Sequence, residues 1–194
     1  MTNEWPDNPA LILIDIQQGF DDTAAFGGER NNPDAERNAG RLLACWRDNG
    51  WPVFHIRHCS VKPGSPLAEG QPGNEFKPEV KPLPGEPVIR KNVNSAFIGT
   101  DLKERLDAQG IRTLVIAGLV AEYCVSTTAR MAGNYGYLVF VAADATASFR
   151  KKGMGGQEMP AELVYQVSLA TIDDEFATVA PVSRILEVFS LVNG

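Results

Sequence analysis

The sequence predicts an α/β fold built on a mostly parallel sheet. Short strand-like apolar runs alternate with helix-patterned segments along the chain, which is the order a parallel sheet requires. Stretches such as LVIAG are apolar without interruption, as expected of strands covered on both faces. At 194 residues, 44% hydrophobic and 22% charged, the chain has the size and composition of one globular domain, residues 1–194.

The first strand is placed at residues 10–16 (ALILIDI). Residues 33–49 (PDAERNAGRLLACWRDN) read as a helix, with proline near the start, acids in the first turn and Gly50 as the stop. A second strand follows at 52–57 (PVFHIR). Residues 60–87 contain seven of the 13 prolines, too many for regular structure, and read as a long ordered loop. The third strand is 87–90 (PVIR). A helix over 100–109 takes Thr100 as N-cap and Gly110 as stop. The fourth strand is 113–118 (TLVIAG), with a helix at 124–134 and the fifth strand at 137–142 (YLVFVA). A last helix opens over 161–169 and a sixth strand lies near 176–179. Residues 147–160 (ASFRKKGMGGQEMP) are Gly-rich and basic. Like 60–87, they are a lid or interface candidate.

Eighteen Lys and Arg against 24 Asp and Glu leave a net charge of −6, which argues against a general nucleic-acid or anionic-membrane binder. The apolar run at 10–14 is far too short to span a bilayer, and no basic start with an apolar region precedes it, so no secretory signal is expected. Three cysteines do not make a disulfide framework, and a chain of this length needs no metal staple to fold. The expected compartment is the reducing cytoplasm.

Three residues could carry chemistry. Asp15 ends the run ALILID, where an ionised carboxylate is costly to bury without a partner. It reads either as a loop cap or as a general base at the carboxyl end of a central strand. Lys91 closes PVIRK. It is a surface lysine or an ammonium placed beside Asp15 to hold that carboxylate ionised. Cys124 opens the helix CVSTTARMAGN after a buried strand. It is a small buried residue or a nucleophile whose thiolate is favoured by the helix dipole, with backbone N–H groups near an oxyanion. All three follow predicted strands, so a parallel sheet would gather them at one edge.

The HIRHC cluster (His55, His58, Cys59) has zinc-type ligands, but strand alternation sets 55 and 58 on opposite faces. Substrate contact or loop anchoring is the better expectation, and no metal is assigned. Cys45 reads as structural. GxGxxG, GxxxxGK[ST] and GxSxG are all missing from the sequence.

Five segments, in order, resemble the isochorismatase-like cysteine hydrolase superfamily: LILIDIQQGF, PVFHIRH, VIRKNVNSAFIGTDL, GLVAEYCVSTTARMAGNYGY and VAADATASF. The helix AELVYQVSLATIDDEFATV is also similar. The resemblance implies a Rossmann-like, three-layer α/β/α fold with a six-stranded, mostly parallel sheet, and an Asp15–Lys91–Cys124 triad. It further implies a cis peptide at Leu119–Val120 that aims the Val120 N–H, beside that of Cys124, at an oxyanion.

By this resemblance the expected function is hydrolysis of an amide-type C–N bond of a small molecule, through an acyl thioester and without a cofactor. The alternatives are an ether-cleaving hydrolase of the isochorismatase type and a non-catalytic binding member. The Asp-x-His metal motif of nicotinamidases falls on His58 and Ser60 and is missing. Ala121 stands where many relatives have Thr, with Glu122 after it. Phe20, His55, His58, Phe97 and Tyr123 are candidates to line the pocket. The expected partners are a small-molecule substrate and further copies of the chain, as a dimer or larger homo-oligomer, with neither nucleic acid nor membrane.

Overall fold

The computed structural model describes residues 8–190. Six strands form one parallel sheet: β1 (Ala10–Ile14), β2 (Val53–His58), β3 (Val88–Lys91), β4 (Thr113–Leu119), β5 (Leu138–Ala147) and β8 (Thr178–Ala180), in spatial order β3-β2-β1-β4-β5-β8. A separate antiparallel hairpin joins β6 (Lys151–Lys152) to β7 (Glu158–Met159). The helices are α1 (Ala35–Asp48), α2 (Leu102–Ala108), α3 (Ser126–Asn134), α4 (Ala161–Ala170) and α5 (Val182–Ser190).

Alternation along β1 explains the layers. Ile12 and Ile14 face a core shared with Leu102 and Leu106 of α2, Val125 and Ala129 at α3, and Tyr165 and Leu169 of α4. Leu11 and Leu13 face the other side, against Leu42, Leu43 and Trp46 of α1 and Ile185 and Phe189 of α5. Both faces of β1 are therefore dry, and all five of its residues are buried. The result is the α/β/α sandwich with a six-stranded parallel sheet that the resemblance implied.

The elements differ from expectation in several places, one being that the N-cap of α2 is Asp101 rather than Thr100. β1 stops at Ile14 rather than 16, because Asp15 turns the chain with φ +52°. β5 runs on from 142 to Ala147, past a register shift against β4 between Ile116 and Gly118. The segment expected to open an α-helix at 124 is instead a π-turn over Ala121–Val125 that leads into α3. α5 was not anticipated, although Val182, Ile185 and Phe189 mark its buried stripe.

The long loop is ordered by buried amides. Asn74 donates to the carbonyls of His58 (2.8 Å) and Leu67 (2.7 Å). Lys77 reaches Asp21 at 2.5 Å and Glu36 at 2.8 Å, tying the loop to the start of α1. Among the described residues, no helix is long and apolar enough to cross a membrane.

Candidate active site

The strand order reverses at β1, since β2 and β3 lie on one side and β4, β5 and β8 on the other. In doubly wound sheets the crevice at such a switch point, outside the carboxyl ends of the strands, is where ligands bind. Asp15 leaves β1 there, its N–H donating to Ile56 O at 3.0 Å, in a left-handed conformation that Asp tolerates better than most residues. Cys124 arrives from the other side, in the π-turn after β4. The Leu119–Val120 peptide just before that turn is cis.

Lys91 comes from farther away. Its strand β3 is separated from β1 by β2, whose His58 is its register partner. The lysine stem spans the end of β2, which explains why a long side chain is needed at this position. Its Nζ lies 2.6 Å from Asp15 Oδ2 and 3.3 Å from Cys124 Sγ. It also donates to Val93 O at 3.2 Å. Asp15, Lys91 and Cys124 are 1%, 4% and 8% exposed. Asp15 Oδ1 is buried without a hydrogen-bond partner among the described residues.

His58 completes the cluster. Its Nδ1 is 3.1 Å from Lys91 Nζ. An ammonium can only donate, so Nδ1 is the acceptor and Nε2 carries the proton. Burial and the Lys91 charge both lower its pKa, against a smaller opposing effect of Asp15, so the imidazole is neutral at pH 7. Gln17 holds the strand end in place: its side chain accepts from His58 N at 2.9 Å and donates to His58 O at 3.1 Å.

Electrostatics revise the expectation of a resting thiolate. Burial pushes the Cys124 thiol well above the ordinary thiol range, and the Asp15 charge adds to this. Lys91 offsets only part of the rise. The resting group is a neutral thiol that donates to Asn94 Oδ1 at 3.9 Å, in the same cluster as the Asp15 carboxylate and its unpartnered oxygen.

Asp15, His58 and Cys124 also bring three ligand-type atoms within 4.8 Å of one another. The Lys91 ammonium contacts all three residues, so the fold supplies its own cation where a metal would sit. The HIRHC cluster does not converge. His55 is fully buried on the other face of β2 and bonds Glu86 Oε2 at 2.8 Å.

A cavity of about 160 Å³ opens on this cluster. Among the expected lining residues, Phe20, His58 and Tyr123 are present, as is Val120. His55 and Phe97 are corrections. His55 is turned away by strand alternation, and Phe97 packs against Tyr135 and Tyr137 in the core beside α3. Sequence reasoning missed Phe26, Leu67, Asn94, Phe149 and Lys151. Phe149 and Lys151 sit at the start of the basic segment flagged as a lid, which was their only signal. Phe26 and Leu67 lie in irregular segments without periodicity.

The sheet order and the cavity at its switch point define a doubly wound α/β protein. Residues 9–181 match the family model of the Isochorismatase domain. The chain is 43% identical over 180 residues to the uncharacterized isochorismatase family protein YrdC of Bacillus subtilis, covering 93% of this chain and 95% of that one. A crystal structure of an isochorismatase-family protein from Chromobacterium violaceum superposes with a TM-score of 0.91 at 46% identity, over 95% of each chain. The ureidoacrylate amidohydrolase RutB of Variovorax paradoxus is 30% identical over 213 residues, covering 89% of this chain and 81% of that protein. The chain belongs to the isochorismatase family of hydrolases.

Proposed function

We propose that this protein is a cysteine-nucleophile hydrolase of small amides, with Asp15 as base, Cys124 as nucleophile and Lys91 as the charge between them. The observation that carries the reading is the division of labour on Asp15. One carboxylate oxygen is fixed by Lys91 at 2.6 Å, while the other is buried and unpartnered, in a carboxylate that lies within 4.8 Å of the thiol. A free oxygen there is what a proton acceptor needs. The similarity to an amidohydrolase, RutB, supports C–N bonds as the target.

In this reading the thiol proton moves to Asp15 Oδ1 as Sγ attacks the amide carbonyl. Lys91 steadies the sulfur as it becomes anionic. The N–H groups of Val120 and Cys124 receive the tetrahedral oxyanion. Its collapse breaks the C–N bond, and Asp15 returns the proton to the departing amine, leaving an acyl thioester on Cys124. Asp15 then takes a proton from water, the hydroxide attacks the thioester, and the thiolate leaves and is reprotonated. The net change is amide plus water to carboxylic acid plus amine.

The test is a panel of small amides and ureides scored by amine release, with intact-protein mass measured after rapid acid quench. The reading expects an adduct of acyl mass on Cys124 and a fall of at least about 10³-fold in turnover for Cys124→Ala with the fold retained. Undiminished amine release by Cys124→Ala would contradict it, since the amide bond would then be cleaved without the thiol nucleophile.

A further inference from the structure

One pair of charges touches the same cavity and takes no part in the steps above. Lys151, the first residue of the β6–β7 hairpin, lines the cavity together with Tyr123. Its Nζ lies 2.9 Å from Glu122 Oε1 and 5.1 Å from the centre of the Tyr123 ring. The Glu122 side chain is only 9% exposed. The contact is an ion pair without an aligned hydrogen bond, for neither Glu122 oxygen has a hydrogen-bond partner among the described residues. A buried carboxylate two residues from Cys124 is unfavourable without compensation, and Lys151 supplies it. An ammonium has three N–H groups. Glu122 and the Tyr123 ring face are two of this one's neighbours, and Lys151 also lines the cavity.

Beyond Asp15, His58, Asn94, Tyr123, Cys124 and Lys151, the lining is apolar, formed by Phe20, Phe26, Leu67, Val120 and Phe149. The three phenyl rings pack with centroids 4.6, 5.3 and 6.0 Å apart. Lys151 is thus the one ammonium among these lining residues. Charge balance decides what it receives. Lys91 balances Asp15 and Lys151 balances Glu122, so an anionic ligand would add an uncompensated charge to a small, largely apolar cavity. A neutral acceptor adds none.

We propose that Lys151 is a specificity-determining residue that selects compact, uncharged amides whose apolar body ends in a neutral hydrogen-bond acceptor, and that Glu122 sets the preference for neutral over anionic ends. The proposal rests on the amide-hydrolase reading above and names its substrate class.

Three amides of matched length provide the test: butyramide, succinamide and succinamate, which end in methyl, carboxamide and carboxylate. Binding is read by calorimetric titration of Cys124→Ala protein, so that it does not depend on turnover. Succinamide is expected to bind at least about tenfold more tightly than the other two, the scale of one hydrogen bond from a charged donor. Lys151→Met brings it down to butyramide. Glu122→Gln, which keeps the size of the side chain and leaves Lys151 unbalanced, moves the preference to succinamate by a similar factor. Equal affinities, no binding of any of the three, or variants that weaken all three alike would overturn the proposal. Turnover of the wild-type protein on the wider amide panel separates the two claims. Amide hydrolysis without discrimination between ends overturns this inference alone, whereas discrimination in binding without any hydrolysis overturns the reading it rests on.

Discussion

At the scale of single residues, Lys91 is the member of the cluster whose replacement is most informative. Its ammonium contacts Asp15, His58, Val93 O and Cys124 at once. Lys91→Met is expected to reduce turnover by about 10²–10⁴-fold, the range for a positioned charged group next to the reacting atoms. Lys91→Arg is expected not to restore it, since a planar guanidinium cannot reproduce four contacts arranged around a point charge. Steady-state kinetics on a turned-over amide checks both, and rescue by arginine would contradict the geometry. These three residues were legible because each puts chemistry at the end of a strand-like run. His58 was only half legible, since parity separated it from His55 but could not say which of the two faced the site. Lys151 and Glu122 were not legible as a pair, because their meeting depends on a hairpin folding over the π-turn.

At the scale of elements, the junction of β1 and β4 positions the site, and Gly118 is its tightest point. Its φ is +142°, and a Cβ there would lie 2.0 Å from Ile14 O, the residue just before Asp15. Neither the dihedral nor the space admits a side chain. Gly118→Ala is therefore expected to destabilise the fold by about 2–4 kcal/mol and to displace Asp15. Chemical denaturation would show this as a lowered midpoint, and a midpoint unchanged from wild type would mean the junction yields more easily than its geometry implies. The strands themselves could be read from apolar runs, because both faces of the sheet are covered. Their ends could not. β1 stops where a single dihedral at Asp15 reverses, and β5 continues through ADATA, a stretch with weak strand character. The nine residues of α5 carry a helical stripe that is legible only once a second helical layer is known to need them.

The whole molecule is held on its β2–β3 side by the group Arg47, His55 and Glu86. Arg47 grips Glu86 at 2.7 Å, His55 at 2.8 Å, and Leu83 N donates to the same carboxylate at 2.8 Å. Burial pushes the Glu86 carboxyl up, but Arg47, the Leu83 N–H and His55 outweigh it and hold its pKa at about 2. A depressed carboxyl stabilises the fold above its unfolded pKa, and that contribution is lost as pH falls from about 4.5 toward about 2. The buried His55, its pKa lowered mainly by burial, acts in the same direction from about 6.5 downward. Glu86→Gln is expected to be less stable than wild type at pH 7 by about 2–3 kcal/mol, with the difference shrinking as both are acidified to pH 3. Denaturant midpoints across that range check the prediction, and a constant difference would contradict it. This group closes the proline-rich loop, whose existence the prolines announced. Its course could not be read from them, because it is set by scattered amides and ion pairs rather than by a repeating pattern.

The central claim is that Cys124 rests as a neutral thiol, held so by burial and by the Asp15 carboxylate beside it, and the pH dependence of Cys124 alkylation tests it most directly. Wild type and Asp15→Asn are labelled with iodoacetamide, and the modified cysteine is identified by peptide mass. In wild type, burial and the Asp15 charge hold the thiol protonated, so labelling of Cys124 should rise only well above the ordinary thiol range. Removing that charge leaves Lys91 to favour the thiolate. Asp15→Asn should therefore label faster at neutral pH and titrate lower than wild type, while losing amide turnover. A variant that titrates at the same pH as wild type, or higher, would contradict the account.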